Sequence, residues 1–106
     1  MAKITYVQPD GRAQTFDVPF GHSVMHGAFM NDVAGVAAEC GGACACGTCK
    51  IFVDPAWAGR VAKPGPLELS MIEEADMETE HLRLACQIRV TEALDGLVVR
   101  VPARQL

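Results

Sequence analysis

The stretch Cys40-Gly41-Gly42-Ala43-Cys44-Ala45-Cys46-Gly47-Thr48-Cys49 decides how the rest of the chain is read. Every residue in it is small, and four of the ten are cysteines. A run with no large apolar side chain offers no face for a helix to bury, and its glycines open backbone conformations closed to other residues. It reads as a tightly wound loop. The fifth cysteine, Cys86, stands alone far downstream. An odd number of cysteines, most of them clustered, argues against a disulfide framework and for metal or redox chemistry.

Cys40, Cys46 and Cys49 follow the spacing C-x5-C-x2-C. Two iron atoms bridged by sulfide need four thiolates, two per iron. Three of these can come from one loop only if the backbone wraps the metal closely. Its N–H groups then point at the sulfurs, and large side chains are excluded. A fourth thiolate from a distant strand pins the loop to the core. On this reading Cys40, Cys46, Cys49 and Cys86 hold a [2Fe–2S] cluster, and Cys44, two residues from Cys46, is a spare thiol. The rival from another class is a zinc-stapled binding module. Zinc also accepts four thiolates but commonly uses paired short knuckles, and this chain has one C-x2-C. A Rieske centre needs two histidine ligands; His22, His26 and His81 are not placed for that and read as ordinary surface or core residues.

Outward from the loop, the flanks alternate strand and helix patterns. Lys3 to Val7 and Ala13 to Val18 read as strands joined at the turn Pro9-Asp10-Gly11. Ser23 is placed to cap a helix from Val24 to about Asn31. Lys50 to Asp54 reads as a strand, Pro55 to Gly59 as one helical turn, and Pro64-Gly65-Pro66 as a break. Leu67, Met71 and Ala75, with Leu69 and Ile72, predict a short amphipathic helix. Arg83 to Val90 alternates, with Leu84, Cys86, Ile88 and Val90 on one face of a predicted strand. Leu97 to Val101 is the last strand, after Asp95-Gly96. This order predicts an α+β fold with a mixed sheet over a single domain, residues 1–106. Trp57 reads as a packing residue.

The 106 residues carry 9 Lys+Arg against 13 Asp+Glu, a formal charge of −4. That balance disfavours nucleic acid, whose phosphates call for basic clusters, and admits a basic protein partner. Four thiolates on two ferric ions with two sulfides would add about −2. No apolar run approaches the roughly 18 residues of a membrane span. The opening Met1-Ala2-Lys3-Ile4-Thr5-Tyr6 reads as a strand without a secretory h-region, so a cytoplasmic location is expected. Glu68, Glu73, Glu74, Asp76, Glu78 and Glu80 form an acid run uninterrupted by Lys or Arg. Such a run is either a solvated face or a steering surface for fast, reversible encounter.

The run CGGACACGTC at 40–49, RLACQI at Arg83 to Ile88 and the ending DGLVVRVPARQL resemble the adrenodoxin/putidaredoxin-type [2Fe–2S] ferredoxins, over nearly the whole chain. The resemblance implies a β-grasp ferredoxin fold with a main helix and a cysteine-rich cluster-binding loop. It also implies ligation by Cys40, Cys46, Cys49 and Cys86, and no catalytic residue. The activity it implies is one-electron transfer from an FAD-containing, NAD(P)H-dependent ferredoxin reductase (NADH-dependent in the putidaredoxin branch) to a cytochrome P-450. A ferredoxin for iron–sulfur cluster assembly is the alternative within the same broad family. Glu39 matches an acid at the same place in the putidaredoxin branch; with Glu73 and Asp76 it is the expected partner contact of a monomer that forms transient complexes. Two departures bear on partner choice. Lys50 stands where the family often has histidine, and reads as a solvated strand residue, with a slight raising of the potential of an anionic cluster or a partner contact as the alternatives. Leu106 stands where the putidaredoxin branch ends in tryptophan.

Overall fold

The computed structural model describes residues 1–31, 33, 50–73 and 81–102. Among the described residues there are five strands: β1 (Ala2–Val7), β2 (Ala13–Val18), β3 (Lys50–Val53), β4 (Leu82–Leu84) and β5 (Val98–Arg100). They form one sheet in the order β2-β1-β5-β3-β4. Only β1 and β5 run parallel; the other neighbours are antiparallel, so the sheet is mixed. Among the described residues two α-helices accompany it, α1 (Val24–Met30) and α2 (Pro66–Glu73).

The hairpin follows from its residues. Ala2, Ile4 and Tyr6 alternate inward along β1, as a period of two requires. The register runs from Ala2↔Val18 to Val7↔Ala13. Gly11 closes the turn at φ +92°, which favours glycine, and its N–H donates to the Gln8 carbonyl at 2.9 Å.

α1 starts where expected. The Ser23 hydroxyl accepts the His26 N–H at 3.0 Å, satisfying one of the open donors of the first turn. Val24, Met25, Gly27 and Ala28 face the sheet. A Cβ at Gly27 would lie 2.6 Å from Val18 Cγ2 and 2.7 Å from Tyr6 Oη, so helix and hairpin touch almost backbone to side chain. The buried Tyr6 hydroxyl donates to the Val24 carbonyl at 2.7 Å, and burial raises its pKa above the usual tyrosine value.

Two expectations need correction. The alternating segment from Arg83 to Val90 is not one strand. β4 ends at Leu84 and the chain enters a 3-10 turn at Ala85–Gln87. Beyond it, Ile88 and Val90 leave the sheet and bond to the start of α1: Val24 N–H to Ile88 O at 2.9 Å, and Val90 N–H to His22 O at 2.8 Å. The alternation of burial survives, because Cys86, Ile88 and Val90 are buried while Gln87 and Arg89 are exposed. The apolar face read into α2 holds in part: Ile72 is buried and Met71 packs against the core, but Leu67 and Leu69 are exposed and Glu68 is buried. Residues 55–60 form successive turns, and Trp57 packs half-buried on the core as expected. Among the described residues no helix is long and apolar enough to cross a membrane.

Candidate metal centre

Of the predicted ligands, Cys86 lies among the described residues; Cys40, Cys46 and Cys49 lie outside them, as do Glu39, Cys44, Asp76 and Leu106. Glu73 closes α2, and its side chain also lies outside the described set. Cys86 sits in the turn that leaves β4 and is 6% exposed. The Gln87 side-chain amide donates to its sulfur at 3.4 Å. On the other side the thiol borders a cavity of about 300 Å³ lined by Gly21, His22, Ser23, Met25, His26 and Arg89.

The turn is held by a polar clamp that the sequence reading missed. Glu68, 3% exposed, was expected in an exposed acid run, solvated or steering; it points inward instead. Arg83 meets it bidentately, Nε to Oε2 at 2.6 Å and Nη2 to Oε1 at 2.9 Å. The Leu84 N–H donates to the same carboxylate at 3.0 Å, and Arg83 Nη1 reaches the Ala62 carbonyl. A buried carboxylate is tolerated when charge and hydrogen bonds both meet it, and three donors do so. The clamp fixes Arg83 and Leu84, the residues leading into the Cys86 turn. The available signal was Arg83 itself, a cation inside an otherwise apolar segment.

Lys50 also corrects an expectation. It is 5% exposed, not solvated. It opens β3 with Leu84 as its ladder partner. Cys49 precedes one member of this pair by one residue, and Cys86 follows the other by two. The pair therefore brings two thiol-bearing stretches of chain to the same end of the sheet. Among the described residues no three His, Cys, Asp or Glu side chains are grouped to hold a metal ion, so His22 and His26 form no rival centre with their described neighbours. The donor chemistry of the chain fits a cluster bound by Cys86 and the loop cysteines.

Residues 7–91 match the model of the 2Fe-2S iron–sulfur cluster binding domain, and the chain belongs to that family. It is a ferredoxin, an electron carrier rather than an enzyme, with a [2Fe–2S] cluster as its cofactor and the β-grasp as its fold. It is 39% identical to putidaredoxin from Pseudomonas putida over 99% of both chains. A reduced variant of that protein superposes with a TM-score of 0.94, at 38% identity, over 99% of this chain and 100% of the other. Rhodocoxin from Rhodococcus erythropolis is 38% identical over the full length of both. Putidaredoxin in a covalent complex with putidaredoxin reductase matches with a TM-score of 0.91 and 38% identity, over 97% and 100% of the two chains.

Proposed function

We propose that this chain carries single electrons from an FAD-containing, NAD(P)H-dependent ferredoxin reductase to a cytochrome P-450, as a cytoplasmic monomer forming transient complexes. Cys40, Cys46, Cys49 and Cys86 hold the cluster in this reading. The observation that carries it is the clamped, buried Cys86 at the end of β4, in a chain whose other matched thiols end one residue before β3. The putidaredoxin complex with its reductase supports a reductase as the donor. The CGG opening and the DGLVVRVPARQ ending favour the monooxygenase branch over cluster assembly.

When bound, the cluster supplies a site that takes up and releases one electron without making or breaking a substrate bond. The protein does the rest. Four thiolates fix the irons, and the Gln87 amide places a hydrogen-bond donor on the Cys86 sulfur, which eases the added negative charge.

The native protein should contain about two irons and two acid-labile sulfides per chain. Cys44→Ser should keep the visible spectrum, and Ser at any of the four ligands should lose or strongly alter it. Stoichiometric zinc in colourless native protein would overturn the assignment. Docking is assigned to Glu39, Glu73 and Asp76. Glu73→Lys with Asp76→Lys should slow reduction by the reductase and delivery to the oxidase several-fold at low salt, with an unchanged spectrum. Each contact is a surface pair of about 0.2–1 kcal/mol, so the loss should fade as salt shortens the Debye length to roughly 8 Å. Equal stopped-flow rates and equal salt slopes for both proteins would move the docking surface elsewhere.

A further inference from the structure

Among the exposed cations, Lys3, Arg12 and Arg100 each meet a carboxylate, on Asp17, Asp10 and Asp54. Arg60 and Arg89 meet none among the described residues. Arg60 lies over the Trp57 ring, its Cζ 4.8 Å from the ring centre. Arg89 donates one N–H to the Gly21 carbonyl at 2.9 Å, and the rest of its fork of donors is open. The two arginines line one cleft of about 220 Å³ together with Gln87 and Thr91, and no Asp or Glu is among its described lining residues. All four of these residues are exposed. A guanidinium with open donors takes a carboxylate in two parallel hydrogen bonds. The cleft therefore presents concentrated positive charge on a chain whose formal charge is −4.

Gln87 gives the cleft its second property. Its amide donates to the Cys86 sulfur at 3.4 Å, and Cys86 itself is 6% exposed. The exposed Gln87 thus carries the surface of the cleft to within one hydrogen bond of a proposed ligand sulfur. Arginines at the outer surface suit carboxylates that arrive on another protein. A long polyanion such as nucleic acid would meet the repulsion of the whole chain.

We propose that this cleft is a docking surface for a one-electron partner of acidic surface. Carboxylates of the partner seat on Arg60 and Arg89 and bring its redox centre over Gln87. The cleft is opposite in charge to the surface assigned to Glu39, Glu73 and Asp76, so it selects a different kind of partner, or a different patch of the same one. One electron leaves the reduced cluster and one arrives on the partner's centre; no bond or proton changes. The proposal rests on Cys86 as a cluster ligand.

The test uses two haem proteins of opposite surface charge as acceptors, acidic cytochrome b5 and basic cytochrome c. Each is mixed in stopped flow with the reduced, cluster-loaded carrier. Arg60→Glu with Arg89→Glu should slow reduction of cytochrome b5 several-fold at low salt, with the visible spectrum unchanged. The difference should shrink as salt shortens the Debye length. Reduction of cytochrome c should not slow. Lys3→Glu with Arg12→Glu makes the same change in net charge at the β1–β2 hairpin and should slow cytochrome b5 clearly less. Arg60→Glu alone disturbs only the contact with Trp57 among the described contacts. It should slow cytochrome b5 by a smaller factor, and it keeps the test available if Arg89→Glu loosens the turn at Gly21. Equal slowing by the two double variants would reduce the effect to net charge and overturn the proposal. So would unchanged rates in the cleft variants, or equal slowing with cytochrome c, which would mark damage to the carrier. Failure of the ligand assignment would look different: wild type would lack the two-iron spectrum and reduce neither cytochrome.

Discussion

The sheet ends in β2 on one side and β4 on the other, and the two edges are built on opposite principles. Along β2 only Val18 is buried, and the polar contacts lie in water: Thr5 to Thr15 at 2.8 Å and Lys3 to Asp17 at 3.2 Å. Along β4 all three residues are buried, α2 packs against the strand, and the polar contacts lie inside. An open edge N–H invites pairing with another chain; the Leu84 N–H is taken by Glu68. The edge that carries Cys86 is thus fixed by a buried network. The far edge is kept soluble by charge and hydroxyl groups. The buried polar contacts are concentrated at the edge that leads into Cys86, the proposed ligand.

The largest effect should come from breaking the β4 edge. Glu68→Ala leaves the Arg83 guanidinium buried without its carboxylate and takes the acceptor from Leu84. Removing one partner of such a pair costs about 3–5 kcal/mol, a large part of the stability of a small domain. Denaturant unfolding should show the loss, and the visible band should bleach faster because the lead into Cys86 is no longer clamped. Replacing both partners, Glu68→Leu with Arg83→Met, should recover part of this stability, since no buried charge remains. The Leu84 N–H would still lack its acceptor, at about 1–3 kcal/mol. If the single variant lost less than the double, the buried edge would owe its stability to packing alone.

The same edge shows where the sequence was legible. The hairpin, the Ser23 cap, α1, β3 and the last strand could be read because each carries a local signal: alternation, a turn, a cap. The mixed sheet followed from their order. The segment after Leu84 could not be read as it folds. Alternation reports which side chains are buried, not which backbone receives the hydrogen bonds, and those of Ile88 and Val90 go to the start of α1. Glu68 was unreadable for a related reason. An acid in an acid run looks solvated until Arg83, fifteen residues later, arrives beside it. Lys50 likewise needed the strands on either side of it to be seen as buried. The cysteine spacing was read from a chemical requirement for four thiolates rather than from packing, and Cys40, Cys46 and Cys49 lie outside the described residues.

The smallest effect should come from the opposite edge. Lys3 and Asp17 are direct ladder partners, yet their side chains are 67% and 55% exposed. Cross-strand pairs of opposite charge contribute about 0.2–1 kcal/mol, and exposed pairs cluster at the low end because water competes and two long side chains must be ordered. The backbone of Lys3 is held independently: its N–H donates to Asp95 at 2.8 Å, and its carbonyl accepts from Gly96 at 2.8 Å. Removing either side chain therefore leaves the strand in place. A double-mutant cycle with Lys3→Ala and Asp17→Ala should give a coupling below about 0.5 kcal/mol, shrinking further at high salt. The midpoint potential should not move. Four strand spacings of about 4.8 Å separate β2 from β4, roughly 19 Å, which is more than two Debye lengths at physiological ionic strength. A coupling above about 1 kcal/mol, or a potential that follows Asp17, would mean that charge at this edge reaches the metal centre through the sheet. The contrast between the two edges would then be one of degree.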